Sequence, residues 1–187
     1  MSTRDRILDA AASVLRERGI ARATTKEIAR AAGCSEALLY KYFADKQELF
    51  LGVLGERAPA LDPPDELVGR GTVTANVTTL VRQLLAFYTR SFPMAASILG
   101  APELLAAHRD GVSRRGVGPE GPARQVQAYL DAEVADGRLA GDVDTEAVAR
   151  ALAGAALFEA FLATYAGMTE VPDTAGRARA IVGAVRL

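Results

Sequence analysis

Residues 25–43 read TKEIARAAGCSEALLYKYF and decide the fold of the first part of the chain. Their pattern predicts two short helices joined by a tight turn. Thr25 is a candidate N-cap of the first helix, and Ile28 belongs to its inward face. Gly33 supplies the positive φ that a sharp turn out of a helix needs. Ser35 can then cap the second helix through its hydroxyl.

The second helix of this pair has an apolar face and a polar face when it is placed on a helical wheel. The apolar arc holds Leu38, Leu39, Tyr42 and Phe43. The opposite side holds Ala37, Tyr40 and Lys41, with Glu36 at its margin. A short helix that is packed from behind and polar in front is able to lie in the major groove of DNA.

This stretch resembles the N-terminal domain of the TetR family of bacterial transcriptional regulators. The residues that match the family's pattern are Thr25, Ile28, Ala29, Ala32, Gly33, Cys34, Ser35, Leu39, Tyr40, Phe43 and Lys46. Two positions depart from it, because Cys34 stands where Val is commoner and Tyr42 stands where the family often has His. The resemblance implies an all-α protein with an N-terminal three-helix helix-turn-helix domain and a C-terminal helical domain for ligand binding and dimerisation.

The resemblance also implies which residues meet DNA. Tyr40 and Lys46 match positions that bind phosphate in the family, and Glu36, Ala37 and Lys41 match positions that face base edges. Thr25 can offer its hydroxyl to a phosphate. Their chemistry fits, since Lys41 is a donor for guanine and Glu36 an acceptor for the amino group of cytosine. The complete set of candidate DNA-binding residues is Thr25, Lys26, Ser35, Glu36, Ala37, Tyr40, Lys41, Tyr42 and Lys46. The implied partner is a double-stranded DNA operator.

Composition favours helices and places positive charge locally. Half of the 187 residues are apolar, and tryptophan is absent. The net charge is −1, yet residues 1–50 hold nine Lys or Arg against seven Asp or Glu, with all three lysines of the chain among them. This distribution predicts a phosphate-facing patch in the first segment.

The sequence carries no indication of an oxidising or membrane environment. One cysteine cannot form an internal disulfide. The first ten residues, MSTRDRILDA, are polar and lack the apolar core of a signal peptide. The most apolar stretch, 151–158, is far shorter than the roughly 20 residues that span a bilayer. We therefore expect a soluble, cytoplasmic protein.

The chain divides into a predicted DNA-binding domain at 1–50 and a helical domain at 51–187, with Pro59, Pro63 and Pro64 marking the break. The first helix is expected to start at Thr3 or Asp5 and to stop at Gly19. Its inward stripe is predicted to be Ile7, Ala11, Val14 and Leu15. Further helices are expected from about Asp45, at 73–90, on either side of Pro102, and at 122–136, 145–166 and 174–185. Glycines between 111 and 121 predict a mobile loop.

The predicted helix at 145–166 is apolar nearly all round, with Arg150 and Glu159 as its only charges after residue 146. Such a helix must be covered on more than one side, either by a partner subunit or as the central core helix of a monomer. The resemblance favours the partner, since TetR-like regulators dimerise through their last two long helices. The candidate dimer-interface residues are Val148, Ala151, Leu152, Gly154, Ala155 and Leu162.

Aromatic and apolar residues of the central helices are candidates for an effector pocket, because the family binds small molecules there. The candidate lining residues are Phe87, Tyr88, Phe92, Met94, Ile98, Leu104, His108, Tyr129, Phe158, Phe161 and Tyr165. The alternative reading is that most of them are simply core. No metal or cofactor is expected, because His108 and Cys34 are the single members of their types.

These patterns together predict a homodimeric transcriptional repressor that a small apolar ligand releases from a palindromic operator. One alternative is a helical protein that dimerises but does not bind DNA. Another is a helical enzyme that uses the C-terminal cavity. The enzyme is disfavoured, because no paired acid and base, nucleophile or metal site stands at a plausible spacing.

Overall fold

The computed structural model describes residues 1–19, 22–57, 61, 63–115 and 118–187, with side chains throughout except at 64, 65 and 112–115. All regular secondary structure in these ranges is helical, which confirms the predicted all-α class. Pro59 and Gly116 lie outside the described residues. The helices are α1 (Thr3–Arg18), α2 (Thr25–Ala31), α3 (Glu36–Tyr42), α4 (Lys46–Glu56), α5 (Pro64–Leu67), α6 (Val73–Leu99), α7 (Pro102–Arg115), α8 (Gly121–Ala135), α9 (Thr145–Tyr165) and α10 (Thr174–Gly183).

The chain forms two compact units that are not continuous in sequence. The first comprises Met1–Ala58 and Ser91–Gly116, and the second comprises Pro59–Arg90 and Val117–Leu187. The boundary predicted after residue 50 falls inside α4. Leu49 and Val53, on either side of that point, are both buried in the core of the first unit.

The first unit has an apolar core that α1 to α4 build together. The predicted stripe of α1, Ile7, Ala11, Val14 and Leu15, is buried as expected. Ile28 of α2, Leu39 of α3 and Leu49 of α4 are each 0 % exposed within the same core. Burial of these faces stabilises helices that are too short to persist alone.

Helix caps follow the local sequence, with one shift from prediction. Ser35 caps α3 as expected, and Asp45 and Asp144 cap α4 and α9, each accepting a backbone N–H three residues on. The N-cap of α2 is Thr24 rather than Thr25, because Thr24 and Glu27 form a reciprocal capping box. Ser2 caps α1 in the same way with Asp5, so that helix begins at Thr3.

Two predictions for the middle of the chain are wrong. α6 does not end near residue 90 but continues through Pro93 to Leu99. The lost N–H of Pro93 is outweighed by packing, because Ile98 is buried and Met94 half-buried in the first core. Gly111 is helical rather than part of a loop. A Cβ atom at this position would lie 3.2 Å from Leu51 Cδ1, so the glycine allows close approach to α4.

The second unit has a core centred on α6, α8 and α9. The predicted helix at 145–166 is observed as α9, and its inward side is fully buried at Leu152, Ala156 and Ala160. Its other side is exposed in the single chain, as detailed below. By length and composition alone α9 would also pass as a membrane span, a test that core helices of soluble proteins meet as well.

Candidate nucleic-acid interface

α3 presents a buried face and an exposed face, as its sequence predicts. Leu39 is 0 % exposed, and Phe43, which follows the helix as its C-cap, is 1 % exposed. Ala37, Tyr40 and Lys41 on the opposite side are exposed. The first unit thus holds α3 by its apolar side and leaves a polar, basic surface in front.

Two residues of the predicted apolar arc lie nearer the edge of the helix. Leu38 is half-buried, and the side chain of Tyr42 is 41 % exposed. The inward placement of Tyr42 is therefore wrong. Its exposure leaves the phenol accessible beside the polar face, which agrees with its place among the candidate DNA-binding residues.

The turn between α2 and α3 has the geometry that Gly33 predicts. Gly33 has a φ of +66°, in the left-handed region that favours glycine. The Gly33 N–H donates to the carbonyl of Arg30 over 3.1 Å, and the Cys34 N–H donates to the carbonyl of Ala29 over 2.9 Å. Cys34 is half-buried against the first core, as a small packed thiol would be. The turn therefore fixes the angle at which α3 leaves α2.

A chain of hydrogen bonds joins α2 to α3 on this surface. The hydroxyl of Tyr40 donates to Thr25 Oγ1 over 3.3 Å, and the hydroxyl of Thr25 donates to Glu36 Oε1 over 2.5 Å. Thr25 is nearly buried, at 9 % exposure, whereas Glu36 is half-buried and Tyr40 is 45 % exposed. Three of the candidate residues are thus brought into direct contact.

The other candidate DNA-binding residues differ in their exposure and in the contacts that they make. Lys26 and Lys41 are exposed, and the ammonium of Lys46 lies 5.2 Å from the ring centroid of Phe50. Ser35 is exposed, and its Oγ accepts the N–H of Leu38 over 3.1 Å. Its hydroxyl therefore serves first as a helix cap, while its proton can still be donated elsewhere.

Ion pairs join α1 to the end of α4 in the same unit. Arg57 donates to Asp5 Oδ1 over 2.9 Å and to Asp9 Oδ1 over 2.6 Å. Arg4 meets both carboxylate oxygens of Glu56, over 2.6 and 2.7 Å. Hydrogen bonds from Ser2 and from Arg57 lower the pKa of Asp5 to about 2. Sequence reasoning missed these pairs, because about fifty residues separate the partners.

The predicted pocket residues do not form one group. Met94, Ile98 and Leu104 pack with the core of the first unit, whereas Tyr88 and Tyr129 pack with that of the second. Phe87 and Tyr88 meet edge to face with their centroids 5.2 Å apart, and Phe92 is half-buried. His108 is half-buried on α7, and burial lowers its pKa.

Tyr129 belongs to a buried polar network that the sequence did not predict. Its hydroxyl accepts a hydrogen bond from Asn76 Nδ2 over 3.0 Å, and Asn76 also donates to the carbonyls of Leu67 and Arg70. Burial, followed by a hydrogen bond with Glu133, raises the pKa of Tyr129 to about 12. These contacts give Tyr129 a structural role at the junction of α6 and α8.

The aromatic residues of α9 lie on its exposed side and not among the buried residues of the second core. Phe158, Phe161 and Tyr165 are 58 %, 40 % and 84 % exposed, and their rings stand 6.4 and 6.1 Å apart in sequence order. The exposed apolar face of α9, as we call it, comprises Leu157, Phe158, Phe161, Leu162, Tyr165 and the adjoining Met168.

The predicted dimer-interface residues divide between the two sides of α9. Ala151, Gly154 and Leu162 are exposed, and Val148 and Ala155 are half-buried. Leu152 is 0 % exposed within the second core. Its inclusion among the interface residues is wrong, because its side chain is already covered within one chain.

Comparison with known proteins agrees with this geometry. Residues 7–53 match the family model for bacterial regulatory proteins of the tetR family. A curated relative, an uncharacterized HTH-type transcriptional regulator of Mycobacterium tuberculosis, is 33 % identical over an alignment of 116 residues, and the match covers 55 % of this chain and 57 % of the relative. The chain thus spans little more than half the length of the curated relative that it matches.

Solved structures share the fold over nearly the whole chain. The fatty acid degradation regulator FadR from Bacillus halodurans is 18 % identical with a TM-score of 0.73, covering 98 % of this chain and 94 % of its own. FadR from Bacillus subtilis, solved in complex with stearoyl-CoA, is 14 % identical with a TM-score of 0.69, covering 96 % and 95 %. At these identities the similarity shows the fold.

Proposed function

We propose that this chain is a DNA-binding transcriptional regulator of the TetR family, because residues 7–53 match the model for bacterial regulatory proteins of that family. The observation that carries the proposal is the two-sided α3, with Leu39 fully buried and Lys41 exposed on the outer face. A helix held in this way can enter a major groove without losing its packing. The relative named above is described as an uncharacterized HTH-type transcriptional regulator.

In this proposal the residues of the interface divide between phosphates and bases. Thr25, Tyr40 and Lys46 bind phosphate, and Tyr42, Lys26 and Ser35 flank them. Glu36, Ala37 and Lys41 face the bases, where Lys41 suits guanine O6 and N7. Lys46 is well suited to its role, because its ammonium is held over the Phe50 ring rather than paired with a carboxylate in any contact among the described residues.

The contact map is tested by measuring affinity for DNA from upstream of the chain's own gene. Tyr40→Phe removes one donor and Lys46→Ala one cation, so each should weaken binding. Lys46→Ala should also lower the slope of log affinity against log salt by about one. Leu99→Ala, at an exposed position of α6 that is not among the candidate DNA-binding residues, serves as a control variant. Unchanged affinity in both interface variants would contradict the map.

We further propose that the regulator is a homodimer joined through the exposed apolar face of α9. Three aromatic rings in a row, each at least 40 % exposed, are costly to leave in water on a single chain. A two-fold symmetric dimer carries two symmetry-related copies of α3, which predicts a palindromic operator. Its half-sites would lie about one helical turn, ~34–36 Å, apart.

Repression and release by a small apolar ligand complete the proposal. Support comes from a neighbour of the same fold that was solved with stearoyl-CoA, a molecule with a long apolar chain. A ligand can release DNA only if it binds the non-binding conformation more tightly than the DNA-binding one. A screen of acyl-CoA thioesters for raised melting temperature and for lost DNA binding tests this part. A cytoplasmic location would follow from such a role.

A further inference from the structure

The hydrogen bonds among Thr25, Glu36 and Tyr40 run in one direction. Tyr40 gives its hydroxyl proton to Thr25, and Thr25 gives its own to the carboxylate of Glu36. Each hydroxyl carries a single proton. Both protons are therefore directed along the chain toward Glu36 and away from any third group.

This direction conflicts with the role that the two hydroxyls have in the proposed function. A phosphate oxygen accepts hydrogen bonds and carries negative charge, so it needs a proton from Thr25 or Tyr40. The carboxylate of Glu36 already occupies the acceptor position that the phosphate would take. Thr25 is 9 % exposed, so its hydroxyl has little freedom to serve both acceptors.

The position of Glu36 offers a way to resolve the conflict. It is the first residue of α3 and is half-buried, at the margin of the surface that would face the bases. The amino group of cytosine in the major groove is a donor that a carboxylate accepts. A carboxylate has a second oxygen, so it frees the Thr25 proton for a phosphate only if the base amino group draws the Glu36 side chain away from Thr25.

We infer that Glu36 couples base recognition to phosphate binding by accepting the hydrogen bond of Thr25 until a base amino group draws its carboxylate away from Thr25. On DNA without that amino group, the Glu36 carboxylate keeps its hydrogen bond from Thr25, and binding to the DNA is weaker. The inference rests on the proposed DNA-binding function, and it gives Glu36 a role in the choice between DNA sequences. Glu36 thereby lowers affinity for random sequences more than for the operator.

The test is a double-mutant cycle that combines Glu36→Ala with Thr25→Val. The probes are a random-sequence 30-base-pair duplex and a duplex that the wild-type protein has selected from a random pool. Glu36→Ala should raise affinity for the random duplex about tenfold, the low end for a hydrogen bond to a charged group. It should also lower the preference for the selected duplex. In the Thr25→Val background the rise should be about twofold, since charge repulsion alone then remains.

Two controls separate this coupling from simple electrostatics and from misfolding. Added salt screens charge repulsion, and at 0.3 M salt the screening length is about 6 Å. A hydrogen bond at contact distance is screened much less. The coupling between Glu36 and Thr25 should therefore persist at 0.3 M salt. Thr25→Ser keeps the hydroxyl and should restore the large effect of Glu36→Ala. An equal rise in the Thr and Val backgrounds, or no rise at all, would overturn the inference. If the wild-type protein binds neither duplex, the proposed function itself fails.

Discussion

At the scale of single residues, Glu133 and Arg138 show how a buried charge is kept in the second unit. The side chain of Glu133 is 0 % exposed, and its Oε2 lies 3.1 Å from Arg138 Nη1. Arg138 also donates to the carbonyl of Gly71 over 2.6 Å and retains 28 % exposure. The two partners are therefore unequal, because Arg138 can turn to water and Glu133 cannot.

This asymmetry predicts different costs for the two substitutions. Arg138→Met leaves a buried carboxylate without its cation and should lower the free energy of unfolding by about 3–5 kcal/mol. Glu133→Gln removes the buried charge and should cost about 1–2 kcal/mol. The double variant should be more stable than Arg138→Met alone. Unfolding of the three variants in urea measures their free energies of unfolding relative to wild type.

A matched control for this pair is the exposed ion pair of Arg150 and Glu146 on α9, whose side chains are 70 % and 57 % exposed. Arg150→Met should cost less than about 1 kcal/mol, as exposed pairs do. Equal effects of Arg150→Met and Arg138→Met would contradict the role assigned to burial.

The parts of the site that depend only on neighbouring residues could be predicted from the sequence. Gly33, Ser35 and Asp45 act within three or four residues of themselves, so their roles follow from sequence alone. Thr24 and Thr25 are adjacent and both able to cap, yet Glu27 stands three residues after Thr24 and forms the capping box with it. That signal was present in the sequence.

At the scale of helices, packing decides what local pattern cannot. α6 passes through Pro93 because Ile98 beyond it is buried. The clamp of Arg57 on Asp5 and Asp9 joins α4 to α1 across about fifty residues, which no spacing rule reveals. The aromatic residues of α9 stand at helical spacing, which fits a pocket, a core or an exposed face equally well. Their location could be settled only by the fold.

The clamp between α1 and α4 predicts a loss of stability in acid. The pKa of Asp5 is lowered from 3.8 to about 2 in the folded protein. Its contribution is therefore complete above pH 3.8 and is lost as the pH falls toward 2. Thermal unfolding between pH 5 and about pH 2 should show that Asp5→Asn has a shallower decline than wild type.

Ser2 and Arg57 both lower the pKa of Asp5, so their separate contributions to the acid dependence can be compared. Ser2 makes the largest contribution to the lowered pKa, and Arg57 makes the next. Ser2→Ala should therefore flatten the acid decline more than Arg57→Met does. A decline in Asp5→Asn as steep as that of wild type would contradict the assignment of this acid dependence to Asp5.

At the scale of the whole molecule, the proposed dimer makes a prediction about mass. Wild type should sediment at about twice the 19.7 kDa mass of one chain. Phe158→Glu places a charge in the middle of the exposed apolar face of α9 and should give the single-chain mass. Its side chain is 58 % exposed, so the substitution leaves the core intact.

The control for this experiment is Leu99→Glu, which places the same charge at a 66 % exposed leucine on α6. It should leave the mass of wild type unchanged. A wild-type protein that sediments as a single chain at micromolar concentration would contradict the dimer, while leaving the DNA-binding proposal to be tested by itself.

Specific DNA binding by α3 is tested most directly when the wild-type protein selects duplexes from a random pool and the selected duplexes are sequenced. The proposed function predicts enrichment of an inverted repeat whose half-sites are centred about 10 base pairs apart, one helical turn. Lys41→Ala should relax the preference at a guanine within each half-site. A pool that stays random after repeated rounds at low salt would contradict the claim that α3 binds specific DNA.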